Sequence, residues 1–218
     1  MNKNLIRNSV LLALLLTTLV AFKAKKKNVL IIGDSISIGY TPFVQESLKG
    51  KAEVIHNPKN AQHTGNGLEK IHSWIGDKKW DVIQFNWGLW DLCYRHKSSK
   101  VQGKRDKVNG EITYSIEDYA KNLEKLVSIL ETTGAKLIFV TTTYVPEKEA
   151  GRFKEDPIKY NKVAKEIMKK HNIQINDIFD QSIKIHQKYG NGEDDVHYSE
   201  EGYAKLSKPI IKMLQKNI

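Results

Sequence analysis

Val29-Leu30-Ile31-Ile32-Gly33-Asp34-Ser35-Ile36-Ser37 decides the reading of this chain. Four aliphatic residues in a row describe a strand, and the Gly-Asp-Ser after them ends it. That ending places a hydroxyl at the carboxyl edge of a sheet, the edge where open α/β sheets bind ligands. Far downstream, Asp194-Asp195-Val196-His197 holds an Asp-x-x-His spacing. Serine, histidine and acid are the parts of a nucleophilic hydrolase. A serine hydroxyl is a weak nucleophile until a base takes its proton and an acid fixes the tautomer of that base.

Outward from this stretch, apolar runs alternate with helix-period segments. The runs predict strands over 29–32, 52–56, 81–85, 137–141 and 173–178. Helices are expected from Pro42 to Leu48 and over 68–75, 115–133 and 157–170, with a last one opened by Ser199-Glu200-Glu201 and kinked at Pro209. This order predicts an α/β fold with a five-stranded parallel sheet, helices on both faces and right-handed crossovers. No repeat or second domain is visible. Lys97 to Gly110 is a polar, Lys- and Gly-rich loop after the third strand. It lies on the functional edge, as a substrate loop or as a solvated insertion.

At 218 residues, 40% apolar and 28% charged, the chain fits one globular domain. Residues 1–24 stand apart. Lys3 and Arg7 precede an apolar run from Val10 to Val20, which reads as a signal peptide or an N-terminal anchor. It is short for a bilayer span, and no stable span is expected after processing. No cysteine follows the run, so a lipoprotein anchor is not supported. The domain is then 25–218, and its location secreted or periplasmic. The net charge of +10 falls to +7 without residues 1–24, which hold three cations and no acid. The surplus is scattered, without RNA-binding aromatic motifs or zinc spacings, so no nucleic-acid partner is expected. Cys93, the single cysteine, reads as a small buried apolar residue.

Ser35 is the candidate nucleophile, His197 its base and Asp194 the orienting acid. Asp194 is preferred because a short turn can present both its side chain and that of His197; Asp195 is nearer in sequence but is expected to diverge. Oxyanion donors are the Ser35 backbone N–H, a backbone N–H at Gly65 in Asn60-Ala61-Gln62-His63-Thr64-Gly65, and the Asn86 side-chain amide. Trp87 and Trp90 flank the expected site, where either ring can wall a pocket or stack on a sugar. His56, His63, His72, His96, His171 and His186 show no metal-ligand spacing, so neither a metal nor another cofactor is expected.

These blocks resemble those of the SGNH hydrolases, the GDSL esterase/lipase family, from about Asn28 to the C-terminus. Gly33-Asp34-Ser35 is similar to the nucleophile block, Asn60 to Gly65 to the glycine block with Gly65 at the oxyanion glycine, and Asp194 and His197 to the final block. Thr141 to Pro146 is similar to the loop after the fourth strand, which brings Tyr144, with Asp34, Trp87 and Trp90, among the expected substrate-binding residues. The resemblance implies a flavodoxin-like three-layer α/β/α sandwich and ester hydrolysis without a metal. One block departs. The family commonly has Gly-x-Asn-Asp after the third strand, and aligning Gly88 with Asp91 puts Trp90 where that Asn stands. The expectation is an exported serine esterase that removes short acyl groups, acetyl above all, from a small-molecule or glycan ester. The alternatives are a lipase or thioesterase for longer chains, or a degenerate family member that binds glycan.

Overall fold

The computed structural model describes residues 25–98 and 104–218; the N-terminal segment 1–24 and part of the Lys97–Gly110 loop lie outside the described residues. In chain order the elements are β1 (Lys27–Ile32), α1 (Ser35–Ser47), β2 (Ala52–His56), α2 (Thr64–Ile75), β3 (Val82–Phe85), β4 (Tyr94–Arg95) and β5 (Glu111–Ile112). There follow α3 (Ile116–Glu131), β6 (Lys136–Val140), α4 (Asp156–Lys170), β7 (Gln174–Asn176), α5 (Phe179–Tyr189) and α6 (Glu200–Gln215).

Five strands form a parallel sheet in the order β2-β1-β3-β6-β7. Val29 pairs with Val54 on one side and Val82 on the other, and Phe85 reaches Phe139. The order reverses at β1, so the chain leaves β1 and β3 on opposite sides of a crevice at their carboxyl ends. That switch point is where open α/β sheets bind ligands. The run that opened the sequence reading is fully enclosed: Val29, Leu30, Ile31 and Ile32 are each at most 1% exposed. Such a strand needs helices on both faces. α1 packs on α6 and α6 on α5, while α2, α3 and α4 pack in series as the second layer. The result is a three-layer α/β/α sandwich. Gly39 makes the α1–α6 approach possible, because a Cβ there would lie 2.3 Å from the Tyr203 ring.

Three local differences from the sequence reading have physical causes. α1 begins at Ser35 rather than near Pro42, because the Asp34 side chain accepts from the Ile36 N–H at 2.9 Å and caps the helix there. Pro42 therefore sits inside the helix. α5 carries few buried side chains, only Ser182 and His186, so its hydrophobic period is faint in sequence. The β4–β5 ribbon is two residues per strand, with Tyr94 opposite Ile112. It closes the base of the Lys97–Gly110 loop, and strands this short give no periodic signal.

Candidate active site

Ser35 is the first residue of α1, three residues beyond the end of β1. Its position is fixed from below. The Gly33 N–H donates to Asn57 Oδ1 at 2.9 Å, and the Ala61 N–H donates to the Gly33 carbonyl at 2.9 Å. A Cβ at Gly33 would lie 2.6 Å from Ser37 Oγ, so the turn tolerates little else there. As a first-turn residue, Ser35 has a backbone N–H without an intrahelical acceptor.

The Ser35 hydroxyl meets His197 Nε2 at 2.8 Å, across 162 residues of sequence. The other ring nitrogen, Nδ1, lies 2.5 Å from Asp195 Oδ1. A proton on Nδ1 donated to that carboxylate leaves the Nε2 lone pair to accept from Ser35. Asp195 Oδ1 also accepts the His197 backbone N–H at 3.0 Å. Burial pushes the Asp195 carboxyl up, but the His197 N–H and ring outweigh it and leave it below its ordinary value. Behind it, His186 Nε2 lies 2.7 Å from the Asp195 carbonyl oxygen, and its ring packs edge-on to Tyr144 and Tyr198.

Asp194 is the first correction to the sequence reading. It is exposed, and the acid at His197 is Asp195. Residues two apart share a side in extended chain, and an Asx turn back to the i+2 N–H folds the carboxylate over the ring. The expectation that Asp195 would diverge overlooked this turn.

The other expected residues divide. Asp34 and Trp90 line the cleft that holds Ser35 and His197. Trp87 does not: it is 1% exposed, packed against Gly67 and tilted on Phe85, so it belongs to the core. Asn86 does not either. Its side-chain amide donates to the Val140 carbonyl at 2.7 Å, stitching β3 to β6. Tyr144 lines a separate depression with Pro146 and Lys148 and supports His186 instead. Gly65 is the second residue of α2 and is not among the cleft-lining residues; the space a Cβ would take is filled by the Tyr114 hydroxyl. Its N–H, like that of Ser35, has no intrahelical acceptor. Asp91 braces this region by accepting from the Thr64 N–H at 2.9 Å and the Thr64 hydroxyl at 2.5 Å. Burial drives the Asp91 carboxyl up to about 7. Burial also raises Asp34, against the pull of its Ile36 hydrogen bond and of Arg152 and His197.

The cleft, about 250 Å³, also holds residues that motif reading missed: Arg95, Arg105 and Arg152, with Leu89 and Val196. Arg152 is 4% exposed; its Nε donates to the Leu89 carbonyl at 2.6 Å and its Nη1 to Glu149 Oε1 at 2.9 Å. Arg105 Nη1 reaches the same Glu149 oxygen at 2.5 Å. Arg95 lies over the Trp90 ring, 4.8 Å from its centroid. One signal was available in the sequence: the chain has only four arginines against many lysines, and three of them meet here. Among the described residues, no group of three or more His, Cys, Asp or Glu side chains is placed to hold a metal ion.

Solved structures share this architecture. A lipase/acylhydrolase from Enterococcus faecalis superposes with a TM-score of 0.70 at 19% identity, over 87% of this chain and 96% of that one. The acetyl xylan esterase AlAXEase gives a TM-score of 0.68 at 19% identity, over 86% and 99%. The acetylxylan esterase Axe2 from Geobacillus stearothermophilus gives 0.67 at 16% identity, over 88% and 95%. At these identities the likeness is one of fold. No curated protein sequence matches the chain. The model of the GDSL-like lipase/acylhydrolase family matches residues 29–210, from the first buried strand into the last helix. The chain therefore belongs to the GDSL-like lipase/acylhydrolase family and is a carboxylic ester hydrolase.

Proposed function

We propose that the protein is a serine esterase that removes short acyl groups, acetyl above all, from a carbohydrate, with Ser35, His197 and Asp195 as its catalytic residues. The observation that carries this reading is the line Ser35 Oγ–His197 Nε2–Asp195 Oδ1, at 2.8 and 2.5 Å, opening into one cleft. Ser35 Oγ attacks the acyl carbonyl carbon while His197 Nε2 takes the hydroxyl proton. The tetrahedral intermediate collapses, the acyl–oxygen bond breaks, and His197 returns the proton to the departing alcohol. Water then attacks the acyl-enzyme, gives a proton to His197, and leaves as the carboxylic acid while Ser35 regains its hydrogen. Asp195 keeps the imidazole in the receptive tautomer and stabilises the imidazolium. The oxyanion donor in this reading is the N–H of Ser35, in the first turn of α1, with that of Gly65 proposed beside it on the family resemblance alone, since Gly65 is not among the cleft-lining residues. Asn86 has no such part, because its amide is engaged between β3 and β6.

The short-acyl assignment rests on the lining. Leu89, Trp90 and Val196 are the apolar residues of a cleft otherwise walled by charged and polar groups, which suits acetyl better than a long chain. A carbohydrate as the alcohol part is supported by Trp90 at the rim and by acetylxylan esterases among the proteins of like fold. Export is read from residues 1–24 alone. The test is hydrolysis of p-nitrophenyl acetate against p-nitrophenyl octanoate by the full-length protein and its Ser35→Ala variant. Acetate turnover that exceeds octanoate turnover and falls at least about 10³-fold in the variant is expected. Turnover indifferent to Ser35 would sink the mechanism, and octanoate preference would sink the short-acyl assignment.

A further inference from the structure

The three arginines of the cleft come from three separate stretches of chain: β4 for Arg95, the β4–β5 loop for Arg105, and the segment before α4 for Arg152. Two of them, Arg105 and Arg152, share a single carboxylate. Glu149 Oε1 takes both Arg105 and Arg152, and its Oε2 is occupied by the Gly151 N–H at 2.8 Å. One carboxylate thus answers two guanidiniums. The other acids at the cleft hydrogen-bond elsewhere, Asp195 to His197 and Asp34 to the start of α1, and reach the arginines only through space, Asp195 under the charge of Arg105 and Asp34 under that of Arg152. Among the described residues Arg152 Nη2 donates to no protein atom, although the side chain is 95% enclosed and lines the cleft. Nε and Nη2 of Arg105 likewise donate to none. Arg105 is 39% exposed at its side chain and Arg152 Nη2 is not fully buried, so their spare N–H groups are open to an acceptor that enters the cleft.

Lysine would serve Glu149 as a point charge, and this chain uses lysine nearly everywhere else. Arginine differs by its planar fork, which pairs two N–H groups with the two oxygens of a carboxylate or with those of a sulfate. We infer that the ester cleaved at Ser35 is borne by an acidic sugar, whose anionic group is received by Arg105 and Arg152. The inference rests on the esterase reading above and names its substrate class. Arg95 adds to the positive field of the cleft from its seat on Trp90.

The test uses the full-length protein and three acetylated sugars of one size: acetylated methyl glucuronate glycoside with its free carboxylate, the corresponding glucuronamide, and acetylated methyl galactoside 6-sulfate. Acetate release is followed for each. Either anionic sugar is expected to exceed the amide by about 10- to 100-fold in kcat/KM, chiefly through KM. Which anion wins tells carboxylate from sulfate. In Arg105→Met that ratio falls towards one, while Arg105→Lys keeps part of it. The preference also falls as salt rises. Equal rates on charged and neutral sugars would overturn the inference while leaving the esterase reading intact. So would an Arg105→Met variant that loses rate equally on all three, since the arginine would then serve the oxyanion. Absence of Ser35-dependent acetate release from every ester, p-nitrophenyl acetate included, would overturn the esterase reading and the inference with it. Calorimetric titration of Ser35→Ala with unacetylated glucuronate and glucose gives an independent readout: binding of the two at equal strength counts against the arginine site.

Discussion

One wall of the cleft, Asp34–Ser35, leaves the sheet directly and starts two residues beyond the end of β1; the opposite wall, Arg95, Arg105 and Arg152, hangs from a two-residue ribbon and irregular chain. The first wall is held by backbone. The Gly33 N–H and carbonyl are both hydrogen-bonded, and Asp34 caps α1. The second is held by side chains converging on Glu149, which is fully enclosed. A wall built from a strand, a turn and a helix cap is a local object. A wall built from one buried carboxylate shared by distant cations exists only once the chain has folded.

The sharpest break between the two lies at the base. Asp195→Asn is expected to lower kcat about 10⁴-fold, since an amide at that place no longer selects the tautomer in which Nε2 accepts from Ser35. Asp194→Asn, at an exposed residue, is expected to stay within about twofold of the parent. Steady-state kinetics on p-nitrophenyl acetate separate the two, and a reversed order would return the acid's role to Asp194.

This pair also marks where sequence stopped being legible. The sheet was readable because Val29–Ile32 is enclosed on both faces, which writes an uninterrupted aliphatic run into the chain. That Ser35 and His197 meet was readable because Gly-Asp-Ser after a strand and Asp-x-x-His are short patterns. The choice between Asp194 and Asp195 turned on an Asx hydrogen bond to the His197 N–H, and four adjacent letters do not record which carboxylate folds back. Asn86 and Trp87 are consecutive at the end of β3, yet one ties to β6 and the other fills the core beside Gly67. Position after a strand says that a residue is near the edge, not which way it faces. The arginine wall left only a trace, the scarcity of arginine in a lysine-rich chain.

The side-chain wall should be the more fragile under substitution. Glu149→Gln removes the charge that Arg152 and Arg105 share and leaves a buried guanidinium uncompensated, which costs about 3–5 kcal/mol of stability. Denaturant unfolding checks the value, and loss of less than about 1 kcal/mol would mean that the wall is held by something else. Arg105, 39% exposed at its side chain, should be far milder, since water can replace its half of the pair.

Beneath the walls, Asp91 predicts a pH dependence. Its carboxyl titrates near 3.8 when unfolded and is pushed up to about 7 by burial in the fold. Between those values the unfolded chain has lost the proton that the folded chain keeps, so Asp91's contribution to stability declines as pH rises through this window. Asp91→Asn, with an oxygen still able to accept from Thr64, is expected to flatten that decline. Thermal midpoints measured from pH 4 to 8 test this, and an unchanged slope would assign the dependence to other groups such as Asp34, which burial also raises.

The smallest effect is expected at Asn86, and it bears on the departure from the family's third block. If the amide is an oxyanion donor, Asn86→Ala loses about 10²–10³ in kcat with little change in stability. If it is a stitch between β3 and β6, the variant instead leaves the Val140 carbonyl without that donor, costs about 1–3 kcal/mol, and keeps most of its turnover per folded molecule. The 2.7 Å bond to Val140 favours the second outcome. A kcat loss without a stability loss would move Asn86 from the scaffold to the chemistry, and would mean that this enzyme met the absence of the usual Asn at Trp90 by recruiting one from four residues earlier.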